Sequence, residues 1–262
     1  RRAQDHFAKK AKKMGLRSRA SFKLQQMQDK AKILRKGMSV VDLGAAPGGW
    51  STVLVELVGG DRSVPWDREN APAAADASQQ RSVSATSTVE VSEASESKGE
   101  YGWLNNPARS QKKRTRHGVV VCCDLLDMPP VPGASFVRGD FQSKAVQDKV
   151  RSMLPRGQAD VVLSDMAPNT TGSKEQDHDM ILDLCMSALS FAEKGVLRPG
   201  GKLLVKLFNG AGLDDFRGSL RDAGFETVKI LKPEASRSAS SEMYLLGTGF
   251  RPKEEENVAV GE

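Results

Sequence analysis

Short apolar runs and stretches of helical spacing alternate along the chain, a pattern that predicts a mainly parallel sheet with helical connections. Seven runs are short and apolar enough to be strands. They lie at Met38–Leu43, Val119–Cys123, Ser135–Arg138, Asp160–Ser164, Lys202–Leu207, Thr227–Leu231 and Met243–Thr248. Helices are predicted at Trp50–Val58, Met180–Glu193 and Asp214–Ala223. The sequence Leu-Arg-Pro-Gly-Gly at 197–201 is predicted to turn the chain into the fifth strand.

One long segment interrupts this alternation. Residues 61–117 are rich in Ser, Ala and Glu and poor in large aliphatic residues. Such a composition cannot bury enough apolar surface to offset the entropy lost on ordering. We therefore expect a flexible insertion between the first predicted helix and the second strand. The basic cluster at 112–117 could contact nucleic acid or could simply be a solvated charged run.

The positive charge of the chain is concentrated at its beginning. Residues 1–36 contain 13 Lys or Arg and two Asp or Glu, whereas the remainder contains 26 basic and 31 acidic residues. A clustered positive charge suits a polyanion, since each neutralised phosphate releases counterions. A solvated basic helix is the alternative. The candidate contacts to the phosphates of such a polyanion are Lys9, Lys10, Lys12, Lys13, Arg17 and Arg19.

Several classes of protein are disfavoured by composition. No run of about 18 apolar residues occurs, so we expect no membrane span. The three cysteines and three histidines show no disulfide or metal-ligand spacing, so we expect a reducing compartment and no metal site. The chain begins with Arg and not Met, from which we expect a processed product. Residues 253–262 are expected to form an acidic tail.

A glycine-rich loop, Asp-Leu-Gly-Ala-Ala-Pro-Gly-Gly-Trp at 42–50, follows the first predicted strand. Small residues let the backbone approach a ligand at the carboxyl end of a strand, where open α/β sheets bind their ligands. The loop is neither the dinucleotide pattern G-x-G-x-x-G nor a phosphate-binding loop ending in Lys-Ser/Thr. Trp50 could alternatively be a core anchor. The candidate cofactor contacts in the loop are Gly44, Ala45, Pro47, Gly48, Gly49 and Trp50.

Two aspartates follow the next two strands and refine the identity of the cofactor. Asp124 lies 75 positions after Gly49, and removing an insertion of about 57 residues leaves about 18, close to the spacing of a ribose-binding acid. Asp140 is placed to contact an adenine amino group. Each could instead be a helix cap or turn residue. Together they favour a cofactor with ribose and adenine but no required pyrophosphate, with S-adenosylmethionine as the leading candidate.

Five motifs follow one another along the chain: Gly15–Leu24, the Asp42–Trp50 loop, Ser164–Asn169, Val205–Phe208 and Arg237–Tyr244. Together they resemble the FtsJ/RrmJ family of ribosomal RNA 2′-O-methyltransferases. The resemblance covers nearly the whole chain outside the insertion and the tail. The loop GAAPGGW is similar to the bacterial-type branch that acts on large-subunit rRNA, whereas the related tRNA enzymes tend to have Cys and Ser there.

The resemblance implies a Rossmann-like class I S-adenosylmethionine-dependent methyltransferase with a mainly parallel seven-stranded sheet and helices on both faces. It also implies a catalytic Lys-Asp-Lys-Glu tetrad, and cofactor contacts at Gly48, Trp50, Asp124, Asp140 and Asp165. The chain departs from the family in its insertion and in Leu-Phe-Asn after position 206, where Val-Phe-Gln is more usual. Neither departure removes a tetrad residue. The matching tetrad positions are Lys23, Asp165, Lys206 and Glu242.

Methyl transfer to a hydroxyl requires the oxygen to be aligned with the methyl carbon, and such alignment can contribute roughly 7–11 kcal/mol. Asp165 and Lys206 are predicted at the ends of strands of one sheet, near the cofactor. Lys206 could hold the ribose hydroxyl or accept its proton, with Lys23 and Glu242 positioning it.

The resemblance also implies the substrate, a uridine of large-subunit rRNA in the loop that receives the tRNA acceptor end, methylated during subunit assembly. The alternatives are a tRNA or mRNA-cap 2′-O-methyltransferase, and an assembly factor whose main role is non-catalytic. A bacterial-type core with a long insertion suggests a mitochondrial protein, with the bacterial cytoplasm as the alternative.

Overall fold

Seven strands form a single sheet, which confirms the predicted mainly parallel α/β architecture. Their order is β3-β2-β1-β4-β5-β7-β6. β7 runs antiparallel to its neighbours β5 and β6, and the other paired strands are parallel. The strands are β1 Ser39–Leu43, β2 Val119–Asp124, β3 Ser135–Arg138, β4 Ala159–Ser164, β5 Leu197–Phe208, β6 Phe225–Leu231 and β7 Glu242–Phe250.

The computed structural model describes residues 6–63, 117–168, 171–210, 212–236 and 241–253. Residues 64–116 of the predicted insertion, with most of its basic cluster, lie outside this part of the chain. So do residues 237–240 of the last motif and residues 254–262 of the predicted acidic tail. Gly60 and Gly118, on either side of the insertion, pair in a single β-bridge. The two described segments that flank the insertion therefore lie next to each other.

Helices cover both faces of the sheet, as expected for a Rossmann-like fold. α2 and α3 pack on one face, and α4, α5 and α6 pack on the other. Alternation along β1 divides the two layers, since Val40 joins the first layer and Val41 the second. The helices are α1 His6–Lys13, α2 Ala20–Ala31, α3 Gly49–Val58, α4 Lys144–Ser152, α5 Lys174–Phe191 and α6 Leu213–Asp222.

Several elements differ from the sequence prediction, which gave no bounds for α1 and α2. α4 was not predicted, because among its side chains only Val150 is buried and the apolar signal is correspondingly weak. α5 begins at Lys174 and not at Met180, since its first turns are polar. β5 begins at Leu197, so residues 197–201 belong to the strand rather than preceding it. The ladder with β4 is irregular there: Ala159 pairs with Leu197, and Val161 next pairs with Lys202.

α2 runs across the sheet from the carboxyl ends of the parallel strands to their amino ends. At its start, Ser21 donates a hydrogen bond of 2.8 Å to the backbone oxygen of Gly49, just after β1. Beyond its end, the backbone oxygens of Lys32 and Ile33 accept hydrogen bonds from Lys202, in the middle of β5. Arg35 and Lys36 then lie beside Ser39 and Asp160, at the amino ends of β1 and β4. The basic segment 1–36 therefore extends to both edges of the sheet.

Candidate active site

The topology brings the four predicted tetrad residues to one edge of the sheet. Asp165 follows β4 and Lys206 lies near the carboxyl end of β5, and these strands are parallel neighbours with Ser164 beside Val205. β7 is antiparallel to β5, so its first residue, Glu242, lies opposite Phe208 at the same edge. Lys23 reaches this edge from the second turn of α2.

The four side chains form two ion pairs. The Nζ atom of Lys206 lies 3.1 Å from Oδ1 of Asp165 and also donates to the backbone oxygen of Asp165. The Nζ atom of Lys23 lies 2.6 Å from Oε1 of Glu242. Both lysines are buried, with 6% and 8% of their surface exposed. Two ammonium groups are thus held in fixed positions, each against a carboxylate. The clustering of the four residues agrees with the sequence prediction, and their catalytic roles remain predictions.

Tyr244 joins the two ion pairs and was not predicted as a site residue. Its hydroxyl lies 2.9 Å from Oδ1 of Asp165 and 3.2 Å from Oε1 of Glu242. Burial, followed by the charges of these two carboxylates, raises the pKa of Tyr244 well above its ordinary value, so the phenol stays protonated and donates. A Tyr two positions after Glu242 on one strand must share its face, which is the signal that sequence reasoning could have used.

The carboxylate of Glu242 is held ionised despite its burial. Burial acts to raise its pKa, but the hydrogen bond and charge of Lys23, the Ser236 hydroxyl and the charge of Lys206 together lower the pKa below its ordinary value. The Ser236 hydroxyl donates to Oε1 of Glu242 over 2.9 Å. Glu242 therefore carries a permanent negative charge that keeps Lys23 in place.

A cavity of about 340 Å³ lies beside the tetrad at the ends of β1, β2 and β4. Its size falls within the usual range of ligand pockets, about 300–1,000 Å³. Of the predicted cofactor contacts, Gly44, Asp124, Asp140 and Asp165 line it. Its apolar wall is formed mainly by Leu125, Leu126, Phe141, Met166 and Leu184.

Asp124 holds the glycine-rich loop in place at the mouth of this cavity. One carboxylate oxygen accepts a hydrogen bond of 2.8 Å from the Ala46 backbone, and the other accepts one of 2.8 Å from the Leu126 backbone. Asp140 accepts a hydrogen bond from the backbone of Gln142, the turn role that was the alternative for it. These bonds leave further lone pairs on both carboxylates, since each oxygen accepts more than one hydrogen bond.

The last part of the loop packs against the segment before α2 and not against the cavity. A Cβ atom on Gly48 would lie 2.8 Å from Arg17, and one on Gly49 would lie 2.1 Å from the Ser18 hydroxyl oxygen. Ala45, Pro47, Gly48 and Gly49 do not line the cavity. The small residues there allow close packing within the protein, and their predicted contacts to the cofactor remain predictions.

The side chain of Trp50 lies in the core, and a cofactor contact through its backbone remains a prediction. Its side chain is 2% exposed, packs at 5.6 Å from the Tyr244 ring and donates to the backbone oxygen of Ala20. It is therefore the core anchor that was the alternative reading. This side chain supports the tetrad from beneath and makes no wall of the cavity.

Asp42, the first residue of the loop motif, is completely buried behind it. Its Oδ2 atom accepts a hydrogen bond of 2.7 Å from Ser51 on α3, while Oδ1 has no hydrogen-bond partner in the described structure. Burial raises the pKa of Asp42 to about 7, with further contributions from the charges of Asp165 and Asp124, against the lowering effect of the Ser51 bond. The sequence shows only an acid at a strand end and does not reveal this environment.

Four of the six predicted RNA contacts are lysines of α1. Lys9, Lys12 and Lys13 are exposed on α1, and Lys10 lies with its Nζ atom 5.6 Å from the centre of the Phe22 ring, next to Lys23. Arg19 is half-buried at the start of α2.

Arg17 instead ties the N-terminal segment to two loops at the cavity. Its guanidinium donates to the backbone oxygens of Pro129, at 2.6 Å, of Pro130, and of Pro47, at 3.4 Å. The structure therefore gives Arg17 a tethering role, and a phosphate contact through its remaining donors stays a prediction.

The fold and this site define a class of protein, the Rossmann-like α/β methyltransferases. Residues 16–97 and 102–250 match the FtsJ-like methyltransferase family, and the chain belongs to that family. In the described part of the chain, no helix combines the length and hydropathy needed to span a bilayer, and no group of three or more His, Cys, Asp or Glu residues could hold a metal ion.

The chain is similar to two bacterial relatives over most of their length. Ribosomal RNA large subunit methyltransferase E of Acinetobacter baumannii is 37% identical over 245 residues, which cover 94% of this chain and 87% of that protein. The protein of the same name from Pseudomonas fluorescens is 36% identical over 251 residues, covering 96% and 92%. The fold resembles a crystal structure of a ribosomal RNA methyltransferase from Plasmodium falciparum, with a TM-score of 0.60, 22% identity, and coverage of 89% and 98%.

Proposed function

We propose that the protein transfers a methyl group from S-adenosylmethionine to the ribose 2′-hydroxyl of a uridine in large-subunit rRNA. The observation that carries this proposal is the connected network of Lys206, Asp165, Tyr244, Glu242 and Lys23 beside a cavity with acidic walls. The names of the relatives support rRNA as the substrate. The choice of uridine, of the loop that receives the tRNA acceptor end, and of a substrate within an assembling subunit rests on the family resemblance.

The residues of the cavity fit S-adenosylmethionine. Bound there, this cofactor supplies an electrophilic methyl group on a positively charged sulfur. The carboxylates of Asp124 and Asp140 can accept hydrogen bonds from ribose hydroxyls and an adenine amino group. Leu125, Leu126 and Phe141 give apolar surface for a flat base, and the Asp165 carboxylate at the tetrad side favours a cation.

Lys206 positions the acceptor hydroxyl. Its amino group is held by both the backbone and the carboxylate of Asp165, so it has little freedom to leave the end of β5. A hydrogen bond between this amino group and a ribose oxygen would fix the oxygen for in-line attack, and alignment of this kind contributes much of the rate of such reactions. The second cation, Lys23, is held by Glu242 and supplies positive potential for the deprotonating oxygen.

Tyr244 holds the two ion pairs of the tetrad in a fixed position relative to each other. One phenolic proton faces two carboxylate oxygens, so a shift of either ion pair changes a hydrogen bond of the other. The exposed lysines belong to α1, which packs on α2 through Ala11 and Phe22, and they can bind phosphates without reading the base. RNA is favoured over DNA because it alone offers a 2′-hydroxyl.

Incubating the full chain with methyl-labelled S-adenosylmethionine and unmodified large-subunit rRNA, free or in isolated subunits, tests the proposal. We expect one ribose methylation, and loss of labelling in Lys206→Ala. Lys229→Ala, a matched control on the exposed edge strand β6, should retain full labelling. The proposal is wrong if the wild-type protein does not bind the cofactor or labels no rRNA.

Further experiments distinguish this proposal from the alternative substrates and roles. Preferential labelling of tRNA or capped RNA would favour the alternative enzymes. In cells lacking the protein, Lys206→Ala should fail to methylate the rRNA. If that variant still restored subunit maturation, the main role would be in assembly. A mitochondrial location stays a prediction, to be checked by fractionation.

A further inference from the structure

A second concentration of positive charge lies at the edge of the sheet opposite the tetrad. It lines an open groove of about 460 Å³, formed where the chain enters β1, β4 and β5. We refer to it as the amino-edge groove and define it by Arg35, Lys36, Ser39, Arg156, Asp160 and Arg198.

The cations of the amino-edge groove are largely uncompensated. Asp160 is the single acid among the residues that line it. One oxygen of Asp160 accepts a hydrogen bond of 2.6 Å from the Ser39 backbone, and the other pairs with Arg198. Arg35, Lys36 and Arg156 are exposed, and no ion pair is recorded for them within the described residues. Three cationic side chains thus remain available in one concave surface.

A neighbouring half-buried lysine lies within reach of the same charges. Lys202 lies beside the groove and is fixed by the backbone oxygens of residues that follow α2. Partial burial lowers the pKa of Lys202, and the charge of Arg35 lowers it further.

The groove is far from the active site. The six residues of β4 span the distance between the two edges of the sheet. This distance is roughly 20 Å, at about 3.3 Å per residue. A nucleotide in the active site and phosphates in the groove must therefore belong to different parts of a substrate.

We propose that the amino-edge groove is a second RNA-binding surface, which holds phosphates of an RNA segment separate from the one whose ribose enters the active site. This inference rests on the proposed function, since it takes rRNA as the substrate. RNA fits better than a small anion because the three cations are exposed and spread over an open surface, where a chain of phosphates can meet all of them at once. The basic segment 1–36 then contributes to two contacts, with α1 at the active site and Arg35 and Lys36 at the far edge.

The test compares wild type with the triple variant Arg35→Ala/Lys36→Ala/Arg156→Ala on two substrates. One is a large-subunit rRNA fragment of several helices, and the other is a short stem-loop around the methylated nucleotide. For the long RNA we expect KM to rise about tenfold or more, with kcat unchanged. The slope of log Kd against log salt concentration should fall in magnitude by about 2–3, since each lost phosphate contact contributes roughly 0.7–0.9. Kinetics on the short RNA should not change.

Matched variants control for charge and for folding. Arg35→Lys/Lys36→Arg/Arg156→Lys retains the charges and should keep the wild-type KM. Lys229→Ala/Arg221→Ala removes exposed cations elsewhere and should do the same. An unchanged KM and salt slope of the triple variant on the long RNA would refute the second surface while leaving the proposed function intact. Binding of the wild type to anionic phospholipid vesicles, lost in the triple variant without any effect on RNA, would assign the groove to a membrane surface and also refute it. Absence of methylation by the wild type would refute the proposed function instead.

Discussion

The phenolic oxygen of Tyr244 lies 2.9 Å from the Asp165 carboxylate and 3.2 Å from that of Glu242. This contact connects β4 and β7 across the intervening strand β5, which carries Lys206. The two ion pairs of the tetrad therefore form one unit with Tyr244 at its centre. Below the hydroxyl, the tyrosine ring is fixed by Trp50.

We expect Tyr244→Phe to reduce kcat while preserving the fold. The ring would still pack on Trp50, but both carboxylates would lose a donor. A hydrogen bond to a charged group contributes about 1.5–3 kcal/mol, so kcat should fall about 10- to 100-fold. Single-turnover methylation and thermal unfolding measure the two effects. Trp50→Phe, which keeps an aromatic ring but loses the bond to Ala20, serves as the comparison. An unchanged kcat in Tyr244→Phe would show that the tetrad does not need the bridge.

Removal of Lys23 should destabilise the protein more than removal of the whole pair. Lys23→Met leaves Glu242 buried without its cation, and breaking such a pair costs about 3–5 kcal/mol. In Lys23→Met/Glu242→Gln no unpaired charge remains, so the loss should be smaller than that of Lys23→Met alone, and therefore smaller than the sum of the single losses. Urea unfolding of the four proteins gives this coupling directly. Strict additivity would mean that the two side chains do not interact in solution.

Asp42 should make the free energy of unfolding fall as pH rises. Its pKa is about 7 in the folded protein against an ordinary value of 3.8, so between these values the folded protein retains a proton that the unfolded chain releases. The stabilisation is complete below about pH 4, is lost progressively up to about pH 7, and amounts to on the order of 4 kcal/mol. Asp42→Asn should remove this fall, whereas Asp222→Asn, at an exposed position, should not. Denaturant unfolding at several pH values measures it, and equal pH slopes for Asp42→Asn and wild type would contradict the assignment.

Arg17→Ala should weaken cofactor binding in the absence of RNA. The guanidinium connects the N-terminal segment to the loops at Pro47 and Pro129–Pro130. Its loss should loosen these loops, which also carry the cavity-lining residues Ala46 and Leu126. We expect a decrease in unfolding free energy of about 1–3 kcal/mol and roughly a tenfold higher Kd for S-adenosylmethionine, a change of about 1.4 kcal/mol. Calorimetric titration tests this. Lys12→Ala, exposed on α1, should leave cofactor affinity unchanged and weaken RNA binding only. If Arg17→Ala behaves in the same way, Arg17 is a phosphate contact and not a tether.

The sequence by itself determined the strands and the loop, and the resemblance of its motifs to a known family pointed to the four tetrad positions. Each strand is a local apolar run, and its period is readable without knowledge of its neighbours. The strand ends then indicate where Asp165 and Lys206 must lie, because parallel strands end at a common edge. α4 escaped detection because one buried residue is too weak a periodic signal.

Only the tertiary structure decided which partner each of these residues meets. A side chain at Gly49 would collide with Ser18, and the Trp50 side chain faces the core. Both residues nevertheless lie in a loop whose sequence predicts a ligand site. In the sequence, the basic residues of segment 1–36 form one continuous cluster. In the structure, α2 runs between opposite edges of the sheet and separates the residues before it from those after it. Local sequence specifies the backbone direction and the buried face of an element. The contacts across elements depend on packing between residues far apart in the chain, which no local pattern encodes.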